Sequence, residues 1–229
     1  METFMQVHRL SQLATEVSQC HKCARLVCYR EDVARVKKKN TQDQPYWGKP
    51  VMGFGDSDAR LILVGLAPSA HGANRTGVPF WGDQSGQWLY QMLYQYGYSN
   101  MAQPLESLQQ KAVAPTLKDA YITCAVRCVP PENKPVAHEI KQCAAFLERE
   151  LELLPKKKLC IALGQLAFQA VLKVFEAKGS FAHGKKIELP DLTLRACYHP
   201  SPQNTHTKRL THAMWEAVFR ETSDFLLEA

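Results

Sequence analysis

Cysteines, histidines and two polar loops are the places in this 229-residue chain where chemistry can be done. Cys20 and Cys23 form a CxxC hook; Cys128 and Cys143 lie fifteen positions apart, one leaving a strand-like run and the other inside a helix-like one. Two thiolates from a hook and two from a strand-loop-helix hairpin can close a tetrahedral sulfur site, which suits zinc or an iron–sulfur cluster equally well. The competing reading is a CxxC redox pair with two buried thiols, because cysteine packs readily into cores. Cys124, Cys160 and Cys197 fall within apolar runs and read as core residues.

The first polar loop runs from Gly65 through Leu66, Ala67, Phe80 and Trp81 to Asp83. It matches neither GxGxxG nor GxxxxGKS, which argues against a dinucleotide or a nucleoside triphosphate. Phe80 beside Trp81 suits a flat base instead, and Asp83 is a carboxylate within reach of the same pocket, or else a helix N-terminal charge. The second loop, His199-Pro200-Ser201-Pro202-Gln203-Asn204, is stiffened by two prolines. His8, His21, His138 and His212 read as surface residues. Asn133, in Pro-Pro-Glu-Asn-Lys-Pro, is either a turn residue or an amide that reads a base edge.

The elements that must hold these groups follow from the apolar pattern. Met1 to Ser18 has helical spacing, and Arg30 to Ser57 breaks into charges, glycines and prolines and reads as a loop. Four strand-then-helix units follow: Arg60–Gly65 with Ser85–Tyr96, Ala120–Val126 with Ala137–Leu151, Leu159–Leu163 with Gln165–Phe175, and Leu192–Tyr198 with Lys208–Leu227. Parallel strands need right-handed crossovers, so the expected fold is α/β, a three-layer α/β/α sandwich around a mostly parallel four-stranded sheet. Ligands of such sheets bind beyond the carboxyl ends of the strands, where both polar loops emerge. Residues 1–229 read as one domain, with the helix and hook of residues 1–30 packed on it.

Hydrophobic residues make up 45% of the chain and charged residues 22%, which excludes collagen and disordered polymer. No secretory signal is visible near the N-terminus, and Leu159 to Leu172 is too short to span a bilayer, so a cytoplasmic location without membrane contact is expected. A net charge of +6 favours a polyanionic partner. Lys37–Lys39, Arg75, Lys134, Lys185, Lys186, Lys208 and Arg209 are candidate phosphate contacts, although each cluster taken alone reads more readily as ordinary solvated surface.

Gly65-Leu66-Ala67-Pro68 through Gly82-Asp83, taken with His199-Pro200-Ser201-Pro202-Gln203-Asn204, resembles the uracil-DNA glycosylase superfamily, and most of all its family 5, over roughly Cys20 to Leu210. The resemblance implies a monofunctional glycosylase that hydrolyses the N-glycosidic bond of uracil, with hypoxanthine and other deaminated bases as further candidates, in single- or double-stranded DNA and so initiates base excision repair. It implies Asp83 and His199 as catalytic groups, with Gly65, Leu66, Ala67, Phe80 and Asn133 around the base. Arg75, Ser201, Gln203, Asn204, Lys208 and Arg209 would then contact DNA. It also implies a four-iron four-sulfur cluster on Cys20, Cys23, Cys128 and Cys143; a monomer is expected separately. Most of the superfamily places Asp, Asn or Glu just after the first-motif glycine, where this chain has Leu66 and Ala67. Family 5 shares that absence, and Asp83 is the expected substitute. The apolar pair also motivates an alternative, a catalytically weak iron–sulfur module that binds DNA and senses damage; a zinc-stabilised nucleotide hydrolase is a third reading.

Overall fold

The computed structural model describes residues 2–102 and 114–228. Met1, residues 103–113 and Ala229, which the single-domain expectation also covers, lie outside the described residues. Six strands form one sheet: β1 (Phe54–Gly55), β2 (Leu61–Gly65), β3 (Ala120–Cys124), β4 (Leu159–Leu163), β5 (Lys186–Glu188) and β6 (Thr193–Cys197). Their order is β1-β3-β2-β4-β6-β5. The four inner strands are mutually parallel, and β1 and β5 pair antiparallel at the edges. Every residue of the inner four is buried, which is why each reads as an unbroken apolar run. The expected four-stranded parallel sheet is thus the centre of a six-stranded one. Edges of two and three residues are too short to show a periodic signal.

Alternation along the strands divides the core between two faces. Leu61, Leu63, Ile122 and Ile161 pack with Leu89 and Leu93 of α4 (Gln84–Gln95) and with Trp215 and Phe219 of α8 (His212–Glu228). Ile62, Val64, Cys160 and Leu194 pack with Leu147 and Leu151 of α5 (Ala137–Glu152) and with Phe168 and Val171 of α6 (Gln165–Val174). These are the three expected layers. The chain leaves β2 for β3 on one side and returns to β4 on the other, so the winding reverses between β2 and β4, where a crevice opens at the strand carboxyl ends. Among the described residues no helix is long and apolar enough to cross a membrane.

The N-terminal segment departs from expectation in one place. After α1 (Glu2–Ser18), a second helix, α2 (Ala24–Val36), runs through the first part of the region expected to be loop, and a 3-10 turn follows at Lys39–Thr41. Only Leu26 and Arg30 of α2 are buried, too few for an apolar stripe to show in the sequence. The expected helix Lys208–Leu227 also starts later than expected. A short α7 (Pro202–His206) precedes it, Lys208 takes a left-handed φ of 59°, and α8 begins only at His212.

A buried ionic knot ties β3 to α5. The Arg127 guanidinium, 1% exposed, lies 2.6 Å from Glu150 Oε2, and the Tyr121 hydroxyl donates to Glu150 Oε1 at 3.0 Å. Thr123 donates to the same carboxylate. Breaking such a pair from one side typically costs about 3–5 kcal/mol. The knot fixes the two elements that lead to Cys128 and carry Cys143.

Candidate active site

The loop after β2 is folded by its own polar groups. A short helix, α3 (Ala73–Thr76), ends at Gly77, whose φ of +77° only glycine adopts freely. The Arg75 guanidinium donates to the carbonyls of His71 (2.7 Å) and Gly82 (3.1 Å) and to the Gln44 side chain. Arg75 is 5% exposed. The expectation that Arg75 touches DNA is therefore corrected: its donors brace the loop from inside, since a buried guanidinium must satisfy them locally. Trp81 is corrected as well. Its ring is buried edge-on against Tyr90, 4.8 Å between centroids, and does not reach the crevice.

The crevice is a cavity of about 890 Å³. Leu66, Ala67, Phe80, Asp83, Asn133, His199, Ser201 and Gln203 all line it, so loops from β2, β3 and β6 meet there. Gly65 lies beneath: a Cβ at that position would stand 2.7 Å from two carbons of the Phe80 ring. Phe80 holds a left-handed φ of 60° and stacks on His199 with centroids 5.6 Å apart and planes 29° apart. A base sandwiched between two rings needs roughly 7 Å between them, because each stacked layer takes about 3.5 Å. The two rings share one hollow without forming a slot, which leaves a base to stack beside Phe80 with His199 approaching it from the same wall.

Asp83 both starts α4 and faces the cavity. Its Oδ1 accepts from the Gly86 amide at 2.8 Å, and its Oδ2 accepts from the Ser69 hydroxyl. Burial pushes its pKa up, opposed by the Ser69 hydroxyl, the backbone amides of Gly86 and Ser85, and the Arg75 charge. Helix cap and cavity carboxylate, offered as alternatives on sequence grounds, are here one arrangement. Burial pushes His199 down to about 4, so its imidazole is neutral at pH 7. Ser69 and His71 also line the cavity, as do Cys124, Glu132, Lys38, Asn40 and Thr41. Of these, Lys38 carries a signal as part of the basic run and Cys124 reads as core; Ser69, His71 and Glu132 lie in loops expected at the ligand-binding end of the sheet but have no assigned role, and Asn40 and Thr41 carry no signal.

The rim after β6 is partly inward-looking. Ser201 caps α7, its Oγ accepting from the Asn204 amide at 3.4 Å. The Asn204 side chain, half-exposed, donates to the His199 carbonyl at 2.9 Å and holds that residue's backbone in place. Gln203, Lys208 and Arg209 are exposed, with the Arg209 guanidinium 4.7 Å from the Tyr198 ring centroid. Asn133 is exposed with a left-handed φ of 57° in the 3-10 turn Pro131–Asn133.

Beside this cavity the four candidate thiols lie on two adjoining apolar patches. Cys128 and Cys143 are buried with Leu26 and Val126, and Cys23 packs against them together with Ala67, which also lines the cavity. Cys20 lies on the adjoining patch with Leu13, Val17 and Phe146, close enough for its charge to act on Cys23, Cys128 and Cys143. Burial pushes the Cys128 thiol up to about 11, and Arg30 Nη1 donates to its sulfur at 3.2 Å. Among the described residues no three His, Cys, Asp or Glu side chains stand close enough together to hold a single metal ion.

Comparison with known proteins agrees with this geometry. Residues 52–222 match the model of the uracil DNA glycosylase superfamily. A type-5 uracil-DNA glycosylase of Thermus thermophilus is 44% identical over 90% of this chain and 93% of its own length. One from Pyrobaculum aerophilum is 41% identical over 89% and 88%, and a type-4 enzyme from Archaeoglobus fulgidus is 26% identical over 84% and 81%. The matched span contains β2, β6 and the loops that bring Phe80, Asp83 and His199 to one cavity; on this agreement of sequence and site, the chain belongs to the uracil-DNA glycosylase superfamily.

Proposed function

We propose that this protein is a monofunctional glycosylase that hydrolyses the N-glycosidic bond of uracil in DNA and so begins base excision repair. The observation that carries the reading is the meeting of Phe80, His199 and Asp83 at one cavity in a chain 41–44% identical to type-5 uracil-DNA glycosylases. Extruding a nucleotide from a duplex costs a few kcal/mol, which contacts to phosphate and stacking beside Phe80 offset. As the bond breaks, negative charge gathers on the base and positive charge on the sugar. Neutral His199 donates a hydrogen bond to the base oxygen, and one such donor is typically worth about 3–4 kcal/mol. Asp83 stabilises the cationic sugar and orients the attacking water, a role worth about 10²–10⁴-fold. Asn133, at the cavity edge with its side chain exposed, reads the base. Gln203, Ser201, Lys208 and Arg209 form the rim toward DNA. The protein is read as a monomer that acts on DNA in the cytoplasm.

The thiol set fits a thiolate-bound group. Cys23, Cys128 and Cys143 share one patch with Cys20 on the next, Arg30 donates to the Cys128 sulfur, and an all-thiolate donor set of this kind suits a four-iron four-sulfur cluster. Cys20, Cys23, Cys128 and Cys143 would hold it, and when bound it supplies covalent cross-links between the N-terminal hook and the β3–α5 hairpin. The residues 1–30 would then be clamped to the same domain as the cavity.

The test is incubation with a duplex containing one uracil, followed by alkaline cleavage of abasic sites. Strand breaks at the uracil are expected. No break with uracil or any other deaminated base overturns the reading.

A further inference from the structure

The cavity is wider than a base requires. Beyond Phe80, His199 and Asn133, its wall continues through Lys38, Asn40, Thr41 and His71. That wall is built. Thr41 is 4% exposed, and its hydroxyl donates to the Lys38 carbonyl at 3.2 Å and bonds to the Tyr46 hydroxyl at 2.9 Å. Tyr46 in turn bonds to His71 Nδ1 at 2.9 Å. Neighbouring Lys37 is committed to the loop, donating to the carbonyls of Gln42 (3.1 Å) and Gln44 (2.9 Å). The Lys38 side chain is exposed at the cavity wall, and among the described residues it makes no ion pair. Its charge reaches far enough to act on His71. Of the two carboxylates that line the cavity, Glu132 pairs with Lys134 at 3.4 Å, and Asp83 is held by Ser69 and Gly86.

We infer that the Lys38–Thr41 turn is a phosphate subsite, in which the Lys38 ammonium and the Asn40 amide receive the DNA backbone phosphate adjoining the extruded nucleotide. The inference rests on the base-excision reading above and adds the partner of this wall. A nucleotide swung into the cavity carries its flanking phosphates to the cavity mouth, where desolvating them without a cation is costly. The Thr41–Tyr46–His71 chain holds the turn in place before DNA arrives, so little ordering is needed on binding.

Binding is measured with a duplex carrying a single 2′-fluoro-2′-deoxyuridine, which resists hydrolysis. Lys38→Ala should weaken binding about tenfold and lower the slope of log affinity against log salt by about one, whereas Lys38→Arg should keep most of the affinity. Lys118→Ala, at an exposed lysine beside the opposite end of β3, should match the wild type. Replacing a phosphate that flanks the uridine with an uncharged methylphosphonate should reduce the wild type to the level of Lys38→Ala and cost the variant nothing more. Equal losses in both proteins, or full affinity in Lys38→Ala, overturn the subsite. Release of uracil from an unmodified duplex is scored separately: its absence sinks the excision reading, while its presence with an indifferent Lys38 sinks the subsite alone.

Discussion

Ser69 and Asp83, fourteen residues apart, are joined by a hydrogen bond from the serine hydroxyl to Asp83 Oδ2. The contact closes the loop after β2 on itself. Gly72 lies against it: a Cβ there would stand 2.3 Å from Ser69 Oγ and 2.5 Å from Asp83 Oδ2, so only glycine permits the closure. The bond also favours the charged carboxylate, against burial, which favours the protonated one.

Ser69→Ala removes that donor and lets the Asp83 pKa rise further. The amides of Gly86 and Ser85 and the charge of Arg75 remain to hold it down, while Tyr90 and Cys124 lie near enough to feel its charge. The acid limb of the excision rate should move to higher pH, with rates near wild type at alkaline pH. Single-turnover rates between pH 4 and 9 check this; an unmoved limb would mean that Asp83 is not the group that titrates.

Asp83→Asn separates catalysis from stability. Because the folded pKa is raised, the folded protein holds this proton to higher pH than the unfolded chain, and stability is lost as pH rises from the unfolded value through the folded one. At pH 7 asparagine removes that cost and still caps α4, so the melting temperature should stay level or rise while excision falls by about 10²–10⁴-fold. Asp83→Ala should lose both activity and about 1 kcal/mol of cap. Calorimetry alongside uracil release decides it.

His199, held at about 4, is neutral when folded and protonated more readily when unfolded. The unfolded chain therefore binds the extra proton between roughly pH 6.5 and 4, and stability falls as pH drops through that window. His199→Asn should flatten this loss in melting curves recorded from pH 7 to 4.5. It should also excise faster than His199→Ala, because its amide still offers an N–H to the base.

Gly65→Ala drives a methyl into the Phe80 ring. Overpacking of this kind costs about 1–3 kcal/mol and would turn the ring away from its stack on His199. Combining it with Phe80→Leu should cost less than the two single losses added together, as measured by urea denaturation and by uracil release. Strict additivity would place the clash elsewhere.

If Cys20, Cys23, Cys128 and Cys143 hold an iron–sulfur cluster, the purified protein is brown and absorbs in the visible. Cys128→Ser should bleach it and lower the melting temperature. Cys160→Ser, at a thiol buried in the core and pushed above the ordinary range, should leave the colour intact. Retained colour in Cys128→Ser would remove that residue from the ligand set.

The sequence by itself determined the four inner strands, because residues buried on both faces leave unbroken apolar runs, and it determined that both polar loops leave the same edge of the sheet. The meeting of Phe80, Asp83 and His199 follows from that topology. Tertiary structure decided what each polar side chain does there. Arg75 looks like a DNA contact in the sequence, yet the fold buries it against the carbonyl of Gly82, and the half-exposed Asn204 also holds the His199 carbonyl. Trp81 follows Phe80 directly, but the left-handed φ at Phe80 sends its ring to the cavity while Trp81 enters the core. Ser69 and His71 lie inside the first motif with no role that their residue type announces, Asn40 carries no motif, and α2 shows no clear stripe. Their roles arise from contacts between residues far apart in the chain, and no local pattern of residue types records which distant partner will satisfy a given donor.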